Sequence, residues 1–241
     1  MTQPMSVEKL IEEQISRWKA ASCAQPGEAP KPAGCWPVIA LSRLPGCNTS
    51  DIAAETAKRL GFEVFDGKLM TLVAEDAGLS ENVVKTLDEK AVSVMDDWIK
   101  SITKERHLSS EGMFLRLLRI VTAIASHGRA VLVGRACSMI LPPDECLRVL
   151  LIAPLETRVS NVVRKTGCSY DEARKSVIQK ESDRRAFVRK HFNADMTDPL
   201  HYDVVINTDK LDVASAAGII AAAWAEKKEL LLKKEPAAAG R

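Results

Sequence analysis

The chain lacks most of the features by which a sequence announces a special environment. No apolar run approaches the roughly 20 residues that a bilayer-spanning helix needs, so no membrane partner is expected. The N-terminus, MTQPMSVEKLIEEQ, has no basic start followed by an apolar block; no export signal is read there, and a cytoplasmic location is expected. An excess of one charge is also missing. The 34 Lys and Arg against 32 Asp and Glu leave a net charge of +2, too little to attract nucleic acid by bulk electrostatics. The six cysteines (23, 35, 47, 137, 146 and 168) contain no C-x-x-C pair, which argues against a zinc or disulfide framework and for reduced thiols. The four histidines (107, 127, 191 and 201) show no metal-ligand spacing.

What is present is ordinary material for a globular fold. With 241 residues, 46% hydrophobic and 27% charged, the chain suits one large domain with appendages and a substantial core. Residues 5–21 carry Leu10, Ile11, Ile15 and Trp18 on one helical stripe. A linker rich in Pro, Ala and Gly follows over 25–37. From Val38 onward short apolar runs alternate with helical periods, and strands are expected at 38–42, 62–65, 130–134, 147–153 and 203–207. AVLVG and LRVLLIA lack inside-outside alternation, as parallel strands covered on both faces do. The expected fold is therefore α/β, a five-stranded parallel sheet with helices on both faces and the 38–42 strand near its centre.

Two insertions interrupt that rhythm. Region 68–127 reads as helical, with Val84, Leu87, Ala91, Val94, Met95 and Trp98 as a core stripe. A charged helix opens at Ser169, where Glu172 completes an S-x-x-E capping box, and runs on through Lys180 to Lys190. An Ala-rich helix is expected over 211–234.

The most informative stretch is VIALSRLPGCNTSDIAAETAKRLG, from Val38 to Gly61. A strand that turns directly into a helix N-terminus makes an anion site, because orphan amides and the positive end of the helix dipole point the same way. That is the frame of the phosphate-binding loop G-x-x-x-x-G-K-[ST]. Here Arg43 stands where the first Gly belongs, Asn48 where the second belongs and Thr49 where the Lys belongs. Only Ser50, the hydroxyl that would ligate magnesium, is kept. Gly46, Cys47, Asn48, Thr49 and Ser50 could still cradle phosphate through their amides; the competing reading is a plain turn with Asn48 or Thr49 as N-cap. Arg43 either replaces the charge of the missing lysine or ends in a surface salt bridge. Cys47 is better read as inert packing or a redox-sensitive thiol than as a nucleophile, since no partner can be placed beside it.

Together VIALSR, IAAETAKRLGFEVFDGKLM, AVLVGRA, LRVLLIAPLETRV, DRRAFVRKHF and DPLHYDVVINTDKL resemble the cytidylate kinase-like family, a branch of the P-loop nucleoside monophosphate kinases, over about residues 37–224. That family usually lacks the loop lysine and shows G-S-G-G where this chain has Gly46, Cys47, Asn48 and Thr49. The resemblance implies helical acceptor-side and lid-like insertions, ATP with Mg2+ as donor, and CMP, dCMP or a similar small acceptor. It implies donor phosphates at Arg43 and Gly46 to Ser50, the acceptor at Asp66 and Arg135, and catalysis by Arg185 and Arg189 of the lid-like helix. Asp66 could instead cap the helix beginning at Lys68, and the charged helix could be a solvated face. Cytidylate kinases usually follow the arginine equivalent to Arg135 with Asp, whereas here it is Ala136. Two rival readings stay open: a non-catalytic nucleotide-binding regulatory module, and an interaction protein with a vestigial site that binds a partner or itself through helix 5–21.

The expected organisation is an N-terminal helix and linker over 1–36, a cytidylate kinase-like domain over 37–228 and a flexible tail over 229–241. Deleting residues 1–35 should then leave soluble protein with a cooperative denaturant transition; loss of either would show that the segment packs into the core.

Overall fold

A computed structural model describes residues 37–87, 89–105 and 112–234, together with Glu13 and Ser16. The helix expected over 5–21, the linker before Pro37 and the segment after Lys234 fall outside the described residues, apart from those two positions. Five strands form one parallel sheet: β1 (Val38–Arg43), β2 (Glu63–Asp66), β3 (Ala130–Val133), β4 (Cys146–Ile152) and β5 (Val204–Asn207). Their order is β2-β3-β1-β4-β5, which puts β1 in the middle as expected. Each strand begins and ends within one residue of its expected position.

The register sets up everything that follows. Leu41 pairs with Val133 and Val133 with Asp66, so the carboxyl ends of β1, β3 and β2 finish on one line. Residues just beyond that line emerge at a single edge, where open α/β sheets place their ligands. Ile39, Leu41, Leu132 and Leu147 are fully buried, which explains the unbroken apolar runs in the sequence.

Helix α1 (Thr49–Leu60) follows β1 and ends at Gly61, whose φ of 67° supplies the left-handed C-cap. Region 68–127 divides into four helices: α2 (Gly67–Glu75), α3 (Ala77–Val84), α4 (Glu89–Glu105) and α5 (Gly112–Ser126). The expected core stripe is out of phase at one member. Val94 is 58% exposed, while Met95, Ile99 and Ile102 are the buried face of α4; a spacing of four then three selects them over the neighbouring stripe. A short helix α6 (Cys137–Ile140) follows β3. Trp98 of α4 donates its indole N–H to the Ile140 carbonyl at 2.8 Å.

Between β4 and β5 lie α7 (Leu155–Thr166) and α8 (Tyr170–Phe192), the lid-like insertion. The capping box forms as read: the Ser169 hydroxyl accepts from the Glu172 amide at 3.3 Å, and the Glu172 carboxylate accepts from the Ser169 amide at 3.0 Å. Val159, Ala173 and Val177 make a small core of their own, whereas Val188 and Phe192 further along α8 belong to the main core. Helix α9 (Val213–Lys234) packs on α1 and continues to Lys234, so the boundary expected at 228 falls inside it. Trp224 of α9 stacks edge-on against Phe62 with centroids 5.0 Å apart. Among the described residues no helix is long and apolar enough to cross a membrane.

His127 follows α5, with Nε2 2.7 Å from the Thr86 hydroxyl. Burial pushes its pKa down to about 4. The unfolded chain, with a histidine near 6.5, binds the proton more readily across that window, so stability falls as pH drops from about 6.5 towards 4. The loss should reach about 3 kcal/mol at most. Urea unfolding at pH 7 and pH 4.5 should show it, and His127→Gln should flatten the dependence.

Candidate active site

A cleft of about 690 Å³ opens at the carboxyl edge of the sheet. Ser42 and Arg43 reach it from the end of β1, Thr49 and Ser50 from the start of α1, Asp66 from β2, and Gly134 and Arg135 from beyond β3. Asp183, Arg184, Phe187 and Val188 of α8 close the other side.

Arg43 is the most constrained of these. Its guanidinium occupies the space that a Cβ on Gly134 would need, so the two residues fit only because one has no side chain. Burial, and then the charge of Arg184, pull the Arg43 pKa down to about 10, which still leaves it cationic near neutrality. Arg184 is itself lowered by burial, and Arg135 adds a further repulsion to both. Among the described residues none of the three arginines has a carboxylate within ion-pair distance. Arg135 donates Nε–H to the Gly67 carbonyl at 3.1 Å and the Thr71 hydroxyl at 2.6 Å. Arg184 donates Nη1–H to the Arg43 carbonyl at 3.1 Å. The three cations share one cavity with Asp66 and Asp183 without a salt bridge among the described residues, and the planar guanidinium fork suits phosphate oxygens.

The backbone beneath Arg135 is unusual. Gly134, Arg135 and Ala136 have φ of 84°, 50° and 54°. A left-handed conformation in a residue with a Cβ costs on the order of 1–3 kcal/mol and tends to mark functional corners.

The loop itself keeps a defined shape although two motif glycines are gone. Asn48 is the N-cap of α1 at φ 49°, with no bond from its side chain; asparagine tolerates that region better than most residues. Gly46 sits at φ 90°, and a Cβ there would overlap the Arg158 backbone. Side chains from α7 and α8 take the loop carbonyls. Arg158 donates to Pro45 O at 3.3 Å, Asn161 to Gly46 O at 2.9 Å and Arg184 to Arg43 O. The first-turn amides of Thr49 and Ser50 have no intrahelical carbonyl to bond.

The sequence-derived candidates are placed as follows. Arg43, Thr49, Ser50, Asp66 and Arg135 line the cleft; Gly46, Cys47 and Asn48 do not. Cys47 is 1% exposed, and burial pushes its thiol up to about 11, which suits packing and not nucleophilic attack. Asp66 does cap α2, its Oδ1 accepting from the Lys68 and Leu69 amides at 2.9 Å each, and it faces the cleft as well. Arg185 and Arg189 do not line the cleft. Arg185 is bound to Glu181 and Asp195, and Arg189 is exposed. The arginine of α8 that lines the cleft is Arg184, and sequence reasoning passed over it. Asn161 and Arg158 were missed too, and no local motif marks them.

A cleft at a parallel-sheet edge, walled by a strand-loop-helix anion frame and by an arginine from a helical insertion, defines a nucleoside monophosphate kinase-like protein. The chain belongs to the cytidylate kinase-like family, which it matches over residues 38–210. It is 28% identical over 172 residues to the cytidylate kinase of Ignicoccus hospitalis, covering 71% of this chain and 89% of that one. It is 29% identical over 188 residues to the cytidylate kinase of Methanobrevibacter smithii, covering 76% and 95%. The fold is shared with the solved structure of an uncharacterized protein from Eubacterium ventriosum, with TM-score 0.63 and 18% identity over 79% of this chain and 98% of that one.

Gly134→Ala should displace the Arg43 guanidinium and lower stability by about 1–2 kcal/mol through backbone strain alone. Denaturant titration reads the stability. Inorganic pyrophosphate should stabilise the parent protein against heat, and the variant less.

Proposed function

We propose that the protein is a nucleoside monophosphate kinase that moves the terminal phosphoryl group of ATP to CMP, dCMP or a similar small acceptor. An oxygen of the acceptor phosphate forms a bond to the γ-phosphorus of ATP. The bond to the β,γ-bridging oxygen breaks, and ADP leaves with that electron pair. The observation that carries this reading is the convergence of Arg43, Arg135 and Arg184 on one cleft, none of them in a salt bridge among the described residues. Phosphoryl transfer needs positioning and positive charge and little covalent help, and these arginines supply charge that a loop without lysine does not.

The roles follow from the positions. The Thr49 and Ser50 amides, at the positive end of α1, suit a donor phosphate. Arg43 and Arg184 stand on either side of the same cavity and would neutralise the transferring group. Arg184 thus takes the part that the resemblance gave to Arg185 and Arg189. Arg135, backed by Gly67 and Thr71, would hold the acceptor phosphate, with Asp66 on the acceptor side. Asp66 Oδ1 is occupied by the cap, and Oδ2 takes no hydrogen bond among the described residues.

Magnesium suits the donor set in kind: the Ser50 hydroxyl and the carboxylates of Asp66 and Asp183 offer hard oxygen to the cleft. Among the described residues there is no cluster of three His, Cys, Asp or Glu that could hold a metal alone. Magnesium commonly relies on one or two protein oxygens, substrate phosphates and water, and when bound it would shield the donor's phosphate charge. The cytidine specificity rests on the relatives' names, and Ala136 beside Arg135 brings no hydrogen-bonding group to a base.

The test is turnover of magnesium-ATP with a panel of nucleoside monophosphates. Arg184→Ala and Arg43→Ala should each lower kcat by about 10³-fold or more, as loss of an arginine on a transferring phosphoryl group does. KM for ATP should change far less. Absence of both turnover and nucleotide-dependent thermal stabilisation across the panel would overturn the enzyme reading.

A further inference from the structure

Glu181 is the one acid of α8 that binds two arginines at once. Its Oε2 lies 3.0 Å from Nη1 of Arg158, and its Oε1 accepts from Nε and Nη2 of Arg185 at 3.1 and 3.0 Å. Each arginine then reaches further. Arg158, whose side chain is 6% exposed, donates to Ala153 O at 3.0 Å and to Pro45 O in the phosphate loop. Arg185 donates through Nη1 to Asp195 Oδ1 at 3.2 Å and to the Thr197 hydroxyl at 3.1 Å. The result is a continuous polar chain from the loop after β1, through α7 and α8, to the turn that brings Met196 to the cleft.

The position of Glu181 along α8 gives this chain its meaning. Val177 belongs to the small core of the α7–α8 hairpin, and Val188 to the main core. Glu181 lies between them, where one helix passes from one packing unit to the other. Three residues on, Arg184 enters the cleft and donates to the Arg43 carbonyl. The apolar contacts fix the two ends of α8; the charged chain fixes its middle against the loop.

We propose that Glu181 is a positioning residue: through Arg158 and Arg185 it fastens the α7–α8 hairpin to the phosphate loop and so aims Arg184 at the bound phosphate. This rests on the kinase reading for its consequence in turnover, though the geometry it describes is independent of that reading. A side chain misplaced by about 1 Å can cost on the order of 10²-fold in rate, so loosening the middle of α8 acts on chemistry more than on ground-state binding.

The experiment is a double-mutant cycle in the full chain between Glu181→Gln and Arg184→Ala, read in kcat and KM. Glu181→Gln should lower kcat by about tenfold or more, with a smaller rise in KM. In the Arg184→Ala background the same substitution should change kcat little, because the two act through one contact. Glu181→Asp should recover part of the loss. Additive losses, or an unchanged kcat in Glu181→Gln, would overturn the proposal. Should Glu181→Gln fail to fold because it strands the buried Arg158 charge, Arg185→Gln completes the cycle instead. Arg185 is 37% exposed, and its removal should slow turnover in the parent but no further in the Arg184→Ala background. Should the parent protein show no turnover, the kinase reading fails alone. The same cycle then decides through thermal stabilisation by inorganic pyrophosphate: Glu181→Gln should weaken it as Arg184→Ala does, without adding to that loss, and an additive pattern would overturn the proposal.

Discussion

The shape of the loop between β1 and α1 depends on its carbonyls being held from outside. In a glycine-rich phosphate loop, backbone freedom lets amides turn towards the ligand. Here two of the motif glycines are replaced, yet Arg43, Pro45 and Gly46 each give a carbonyl to a side chain of α7 or α8. Securing carbonyl oxygens on one side leaves amides to face the other. Gly46 stays glycine for a packing reason as much as a conformational one, since Arg158 occupies the place of its Cβ. The shape of the loop is thus set by three segments far apart in sequence.

The same arrangement explains how the arginines are tolerated. Arg43 and Arg184 are partly desolvated and repel one another and Arg135, which costs stability. Arg184 is held to a neutral carbonyl and Arg135 to a carbonyl and a hydroxyl, which orient the side chains without neutralising their charge. An acid in salt-bridge contact would offset that cost by cancelling the charge. Of the carboxylates nearby, Asp66 gives its Oδ1 to the α2 amides and Glu181 is taken by Arg158 and Arg185.

Much of this was legible in the sequence. The five strands, the central place of β1, the helix from Thr49 to Leu60 closed by Gly61, the Ser169 capping box and the meeting of Asp66 with Arg135 all follow from short-range patterns and from the rule that parallel strands end together. What escaped depends on helical phase and on depth. Adjacent arginines on a helix point about 100° apart, and the sequence does not say whether 184 or 185 faces inward; the packing of Val188 and Phe187 settles it. The same ambiguity put Val94 on the buried stripe in place of Ile99. The burial of Cys47 and the roles of Arg158 and Asn161 arise from contacts more than a hundred residues apart, for which no local spacing is diagnostic.

The three residues that turn the chain after β3 separate two kinds of persistence. Gly134 answers to its own backbone and to the space taken by Arg43, so it would survive in a copy of this protein that had stopped binding anything. Arg135 and Ala136 hold left-handed conformations that glycine or asparagine would adopt more easily. Drift without a ligand would therefore carry those two positions towards the easier residues and leave the glycine behind. In divergent copies of this chain, an arginine retained at that corner would report a working site far more sensitively than the glycine beside it.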